Sequence, residues 1–249
     1  MFGNLKKYDQ LLQKFIDRGY NFSEFSESIS TEKQLFLRHD IDFDISLAHD
    51  MSCIEDSLGV KATYFFMIRS KSYNLLLPEN VEIIQSLKER GHQISIHFDP
   101  TIYQDFFQGF QWERNIFEQL FKVKLNCVSI HRPIEYFLVN NNLIDGIRHT
   151  YQPIYFQEIK YFSDSQGQFR YGHPLDSQEF LEGRSIQLLI HPIWWVTNQT
   201  NSINILNEFV DYRIKLFQQH IGSNCKPYQK YVEDIGLKAT PLNVKKLVA

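Results

Sequence analysis

Two carboxylates one residue apart, Asp40 and Asp42, close an apolar run in the stretch LFLRHDIDFD, which covers residues 35–44. A hydrophobic run that ends in acids reads as a buried strand whose C-terminal end opens onto a site. On a strand, side chains at i and i+2 share a face. Asp40 and Asp42 therefore project together, while His39 and Ile41 face the other way. Two carboxylates held a few ångströms apart repel each other unless a cation or a shared proton intervenes. The pair points to a metal site or an acid–base pair, and the plainer alternative is a solvated strand end.

Ionisable residues recur where later strands are expected to end. His97 and Asp99 close HQISIHFD, again at i and i+2. His131-Arg132-Pro133 closes CVSI, Asp164 follows IKYFS, and His191 closes SIQLLI. In parallel α/β folds the C-terminal strand ends share one rim, so these groups converge in space. Aspartate, histidine and a second carboxylate are reasonable ligands for Zn²⁺, with an open position left for water. Taken singly, His97 reads as a hydrogen-bonded core histidine and Arg132 as a surface arginine before a turn. Asp164-Ser165-Gln166-Gly167 reads as a turn, and His191 as a strand terminus. Their coincidence argues for an active site.

The elements that must position these groups follow from periodicity. Leu5, Tyr8, Leu12 and Phe15 mark an amphipathic first helix that Gly19 ends. A Ser- and Glu-rich polar stretch leads to the strand with the acids. Leu47, Met51, Ile54 and Leu58 mark a second helix stopped by Gly59, and Lys61 to Ile68 is β-rich. Ser70 to Pro78 reads as loop, and Val81, Ile84 and Leu87 line a helix ending at Gly91. A strand at 92–99, a helix at 106–121 and a strand at 127–130 follow. This alternation with short connections describes βαβ units and a parallel sheet. Residues 134–180 read as short strands and loops over the site, Ser185 to Ile190 as a buried strand. Ile203, Leu206, Val210, Ile214 and Phe217 mark a closing helix. From Ser223 on the chain is polar and reads as a surface tail.

Composition bounds the rest. The 249 residues are 43% hydrophobic, enough for a substantial core, and 15% aromatic. A formal net charge of -3 without a long basic run argues against nucleic acid or an anionic membrane as partner. Cys53, Cys127 and Cys225 are widely spaced and odd in number, so neither a disulfide framework nor a cysteine zinc site fits. With no signal-like segment and no apolar run of the roughly 20 residues needed to span a bilayer, a cytoplasmic protein of one domain over 1–249 is expected.

The motifs, in their order, resemble those of the NodB-type polysaccharide deacetylases, carbohydrate esterase family 4, and more closely a divergent branch in surface-polysaccharide biosynthesis. The resemblance runs from about Phe36 to Trp195. Asp40-Ile41-Asp42 is similar to the family's first motif, a base aspartate followed by a metal-binding aspartate. Ala62-Thr63-Tyr64-Phe65-Phe66 resembles its second strand, and Gly91-His92-Gln93-Ile94-Ser95-Ile96-His97 its metal-histidine motif. Arg132-Pro133 matches the motif whose arginine holds the base carboxylate, Asp164 a fourth motif, and Leu188-Leu189-Ile190-His191 the strand ending in the general acid. The family's second metal histidine falls at Thr101 here, and Asp99 is the candidate replacement.

The resemblance implies a distorted (β/α) barrel with flanking N- and C-terminal helices. It implies metal-dependent removal of an acetyl group from an N-acetylated sugar. Asp42, His97 and Asp99 would hold a divalent ion, Zn²⁺ first. Asp40 would be the base, Arg132 its partner, His191 the acid, and Asp164 a further catalytic residue. The alternative is a non-catalytic carbohydrate-binding protein on the same fold, with Trp194, Trp195 and Tyr161 stacking the sugar.

Overall fold

The computed structural model describes residues 2–25, 33–139 and 141–236. Most of the polar stretch before the acid-bearing strand, residues 26–32, and the end of the tail lie outside them. In chain order the elements are α1 (Gly3–Asp17), β1 (Asn21–Phe22), β2 (Gln34–Ile41), α2 (Ser46–Leu58), β3 (Thr63–Phe66), α3 (Pro78–Glu89), β4 (Gln93–Phe98), α4 (Phe106–Phe121) and β5 (Cys127–Ile130). Then come α5 (Glu135–Leu138), β6 (Arg148–His149), α6 (Pro153–Phe156), β7 (Lys160–Ser163), α7 (Gln178–Glu182), β8 (Ile186–Ile190), α8 (Ser202–Asn224) and α9 (Lys226–Asp234).

The apolar run becomes β2, buried along all eight residues. It pairs in parallel with β3, from Arg38–Thr63 to Ile41–Phe66, and with β8, from Leu35–Ile186 to His39–Ile190. The strand order is β6-β5-β4-β3-β2-β8-β7, with β1 beside the start of β2, and every ladder is parallel. No pairing among the described residues joins β6 to β7. The expected distorted (β/α) barrel is thus a curled, open half-barrel with flanking helices. Parallel registers bring the C-terminal ends of β2, β4, β5, β7 and β8 to one rim.

Local chemistry sets the elements. Leu5, Tyr8, Leu12 and Phe15 of α1 are all buried, as their spacing predicts. Gly59 closes α2 in the left-handed region at φ +69°, where a side chain would be strained. Asp105 caps α4 by accepting from the Phe107 and Gln108 amides at 3.0 and 3.1 Å. On α4, Gly109 is required by close approach, because a Cβ there would clash with the ring of Tyr103. Phe25, Phe36, Phe65, Cys127, Tyr155 and Ile159 pack as one core cluster. All three cysteines are free thiols.

Residues from Gln199 onward form a separate packing unit. Asn201 caps α8, accepting from the Ile203 and Asn204 amides at 2.9 and 3.3 Å. The spacing that predicted this helix is present, but Ile203, Val210, Ile214 and Phe217 are exposed, and Ile205 and Phe209 are the buried pair. The tail expected from Ser223 contains a further helix, α9. Pro227 opens it, and Tyr228 and Tyr231, one turn apart, bring their rings to 5.6 Å. No helix among the described residues is long and apolar enough to cross a membrane.

On the helix-facing side of β2 lies a buried polar cluster. Glu55 of α2 is 2.6 Å from His39 Nε2, and it accepts hydrogen bonds from the Tyr8 and Tyr64 hydroxyls at 2.5 and 2.7 Å. Burial works to raise the Glu55 carboxyl, but His39, with His92 and Tyr8, outweighs it and holds the group below the ordinary carboxylate range. A carboxyl whose pKa is lower folded than unfolded stabilises the protein fully above its unfolded value of about 4.3. That contribution is lost as pH falls through and below this value. Urea unfolding should therefore show stability falling from about pH 5 to about pH 3, with a shallower slope in Glu55→Gln. At neutral pH the variant should be weaker by about 3 kcal/mol, the scale of a broken buried pair. Equal slopes in the two proteins would remove Glu55 as the cause.

Candidate active site

Strand alternation turns Arg38 and Asp40 to the face of β2 opposite His39. Asp40, 2% exposed, is paired at Oδ2 with Arg38 Nη2 at 2.9 Å. The Arg38 guanidinium is itself buried, and its Nη1 donates to Gln187 Oε1 at 2.9 Å. The rings of Phe65, Tyr151 and Tyr161 lie 5.7–5.9 Å from it. Burial alone would raise the Asp40 carboxyl, but Arg38, with His97 and His191, keeps it below the usual range and ionised. Its Oδ1 is buried with no hydrogen-bond partner.

The motif resemblance implies Arg132 against Asp40, but Arg38 is the residue that stands there. Arg132 follows β5 with φ +53°, its side chain is 68% exposed, and its Nη1 is 3.6 Å from Asp99 Oδ2. The left-handed turn at Arg132 is not visible in an R-P motif, and Arg38 lay unassigned two residues before the acid it holds.

Just beyond β2, Asp42 Oδ1 lies 3.2 Å from His97 Nε2 and 3.5 Å from His131 Nδ1, and those two nitrogens are 3.0 Å apart. The three atoms lie within 4.8 Å of one another. Asp42 Oδ1 is buried without a hydrogen bond. Burial opposes ionisation of Asp42, but His97 first, with His191 and His131, holds its carboxyl far below the usual range. The other ring nitrogen of His97 is taken by Ser129 Oγ at 2.5 Å, which leaves Nε2 to face Asp42 and His131. Ligands about 2.0–2.1 Å from a tetrahedral ion stand about 3.4 Å apart. The observed spacings and the orphaned carboxylate oxygen fit a divalent cation held by Asp42, His97 and His131.

Asp99 is not in this group. β4 stops at Phe98, and Asp99 Oδ1 instead caps the turn at Pro100–Ile102, accepting from Thr101 N at 2.9 Å and Thr101 Oγ1 at 2.6 Å. The i, i+2 argument extends the strand one residue too far. His131 stands in the third place, from the end of the neighbouring strand. Its position on the shared rim is legible in the sequence; its approach to Asp42 and His97 is not.

The last pair comes from β7 and β8. His191 Nδ1 is 2.6 Å from Asp164 Oδ1, and Asp164 also accepts from the His191 backbone amide at 3.0 Å and from Trp195 Nε1 at 2.7 Å. Burial would lower the imidazole, yet Asp164, with Asp42 and Asp40, raises it to about 9. His191 Nε2 points toward the centre, 3.8 Å from Asp42 Oδ2. Trp195 is thus committed to Asp164, and it packs on Tyr8 at 5.6 Å. Of the three residues considered for stacking, Tyr161 lines the cleft.

These groups open into a cleft of about 390 Å³. Asp40, Asp42, His97, His131 and His191 form its floor, and Tyr151, Phe156 and Tyr161, with ring centroids 5.0–6.3 Å apart, form an aromatic wall. Arg132, Ser165, Arg170 and Tyr171 also line it.

No family model matches the chain, and no curated protein does. Solved structures do. The Xyl-CE4 domain of a multidomain xylanase from the hindgut metagenome of Trinervitermes trinervoides is 15% identical, with a TM-score of 0.40 over 71% of this chain and 82% of that one. The Bc1960 peptidoglycan N-acetylglucosamine deacetylase is 14% identical, with a TM-score of 0.40 over 72% and 80%. A family 4 acetyl xylan esterase from Clostridium thermocellum, in complex with a cobalt ion, is 14% identical, with a TM-score of 0.37 over 72% and 84%.

The ligand assignment is checked by titrating metal-free protein with Zn²⁺. His97→Ala and His131→Ala should each weaken binding by about tenfold or more, and Asp99→Ala should leave it near the parent value. Full affinity in His131→Ala with a loss in Asp99→Ala would restore Asp99 as the third ligand.

Proposed function

We propose that the protein is a metal-dependent hydrolase that removes the acetyl group from an N-acetylated sugar. The observation that carries this reading is that two candidate proton-handling groups stand beside the Asp42–His97–His131 group: the Asp40 carboxylate, paired with Arg38, and the His191 imidazole, paired with Asp164 and 3.8 Å from Asp42. Amide hydrolysis needs a proton taken from water and a proton given to the departing nitrogen, because an amide anion is a very poor leaving group. A divalent ion held by the three ligands would polarise the acetyl carbonyl and acidify the attacking water.

The chain's own residues handle the protons. Asp40, kept ionised and oriented by Arg38, accepts the proton of the water as its oxygen bonds to the acyl carbon. His191, held by Asp164 with Nε2 toward the cleft, donates its proton to the nitrogen as the C–N bond breaks. The products are acetate and the free amine. The aromatic wall of Tyr151, Phe156 and Tyr161 offers flat apolar faces to a sugar ring. Surface-polysaccharide biosynthesis is the setting that the motif resemblance suggests.

Acetate release from N-acetylglucosamine and its oligomers, measured before and after chelation and again with Zn²⁺ restored, tests the reading. Activity should require the metal. Asp40→Asn should keep the metal but turn over roughly 10²–10⁴ times more slowly, the usual loss of a positioned base. If Asp40→Asn were as metal-poor as Asp42→Asn, Asp40 would be a ligand and the base would lie elsewhere. A metal-loaded protein that binds these sugars and releases no acetate from any of them would be a carbohydrate-binding protein instead.

A further inference from the structure

We propose that the sugar carries an oxyanion, phosphate or carboxylate, and that Arg132 and Arg170 bind it at the mouth of the cleft. The inference rests on the reading of this site as a sugar deacetylase and goes on to name its substrate class.

Asp40 already has its counter-ion in Arg38, inside the same strand, so Arg132 is not needed there. The backbone at Arg132 takes φ +53°, a conformation that non-glycine residues adopt only where the surroundings hold it. The side chain lines the cleft yet stays 68% exposed, and Asp99, at 3.6 Å, is the one carboxylate within 4 Å of it among the described residues.

Arg170 comes to the same cleft from the segment after β7. It is exposed, its Nη2 donates to Ser165 Oγ at 3.2 Å, and its guanidinium lies 5.8 Å from the ring centroid of Tyr171. Tyr171 is itself 85% exposed and lines the cleft. Beyond the aromatic wall and the acids and histidines, the polar side chains that line the cleft are two guanidiniums, the hydroxyls of Ser163 and Ser165, and the exposed Tyr171 phenol.

Charge makes the assignment specific. The acids that line the cleft are Asp40 and Asp42, each already within ion-pair distance of Arg38 or the histidines. A neutral sugar is bound by aromatic faces and uncharged hydrogen-bonding groups, and two exposed guanidiniums add little to that. Their forked donors match the paired oxygens of a phosphate or carboxylate. The protein as a whole carries a formal charge of -3, so an anionic substrate is repelled at long range and needs a local basic site. Repulsion from Asp40 and Asp42 keeps the anion off the floor. It must sit on a part of the substrate other than the acetamido group, and Arg132 and Arg170 line the cleft to receive it.

Calorimetric titration tests this without requiring turnover. The probes are N-acetylglucosamine, its 1-phosphate and its 6-carboxylate, against the parent protein, Arg132→Gln, Arg170→Gln and the double variant. One anionic probe should bind the parent about tenfold more tightly than the neutral sugar, the scale of a charge-assisted hydrogen bond. That ratio should fall severalfold in each single variant, approach one in the double variant, and shrink as salt is raised. Which anionic probe is preferred tells phosphate from carboxylate. No anion preference in the parent, or an unchanged preference in the double variant, overturns the proposal. An anion preference without acetate release would retain the anion site and remove the deacetylase reading. Acetate release without an anion preference would do the reverse.

Discussion

A carboxylate as buried as Asp40 stays ionised only with a cation in contact, and Arg38 supplies it from two residues earlier on the same strand. Much of the surrounding structure serves that arginine. Gln187 on β8 accepts from it, and Gln187 in turn donates to the backbone carbonyls of Thr150 and Tyr155 at 3.3 and 2.6 Å. Phe65 of β3, Tyr151 and Tyr161 of β7 wall the guanidinium. A buried pair of this kind contributes little net stability, because desolvating two charges costs about what their attraction returns. What it fixes is the orientation and ionisation of Asp40. Arginine suits the task because one fork reaches both Asp40 and Gln187.

The same strand carries opposite demands on its two faces. Parallel strands buried on both sides usually read as continuous apolar runs, yet β2 places Arg38, His39 and Asp40 in succession, all buried. Alternation separates them. Arg38 and Asp40 face the cleft, and His39 faces Glu55, Tyr8 and Tyr64 in the helical layer. A polar strand end in this position is tolerated because each face supplies an oppositely charged partner, Arg38 to Asp40 on one and Glu55 to His39 on the other, although Arg38 Nε, His39 Nδ1 and Asp40 Oδ1 keep no hydrogen bond. The cluster around Glu55 joins α1, α2 and β3 to the back of the strand that presents the acids.

What was legible in the sequence was legible for a topological reason. Asp40, Asp42, His97, Asp164 and His191 each stand at or just past the C-terminal end of a run that becomes a parallel strand, and parallel strands end on one rim. What was not legible depended on single residues at those ends. The difference between Asp99 and His131 is one residue of β4, because Pro100 turns the chain before the alternation can continue. Arg38 sat inside the strand, where period and burial predict an apolar side chain, and only its contacts show what it does. Arg132 matched a motif, but its left-handed backbone carries it away from Asp40. On α8 the periodicity identified the helix, but spacing alone does not say which face is covered, and the exposed stripe shows that limit.

The order of the strands divides the labour of the site. Asp164 and His191 come from β7 and β8, on one side of β2, and His97 and His131 come from β4 and β5, on the other. β2 and the residue just past its end supply the two acids between these halves, Asp40 paired with Arg38 and Asp42 within reach of both His191 and His97. The register of β2 against β8 and β3 therefore sets the distance from His191 to Asp42 and from Asp42 to His97 at the same time. A slip of one residue would turn Asp40 and Arg38 to the helical layer and bring His39 into the cleft. In the direction that puts Asp40 in the place of His39, two carboxylates, Asp40 and Glu55, meet in the helical layer. Electrostatics opposes that slip, so the charges that make the site also help to specify the strand register that builds it.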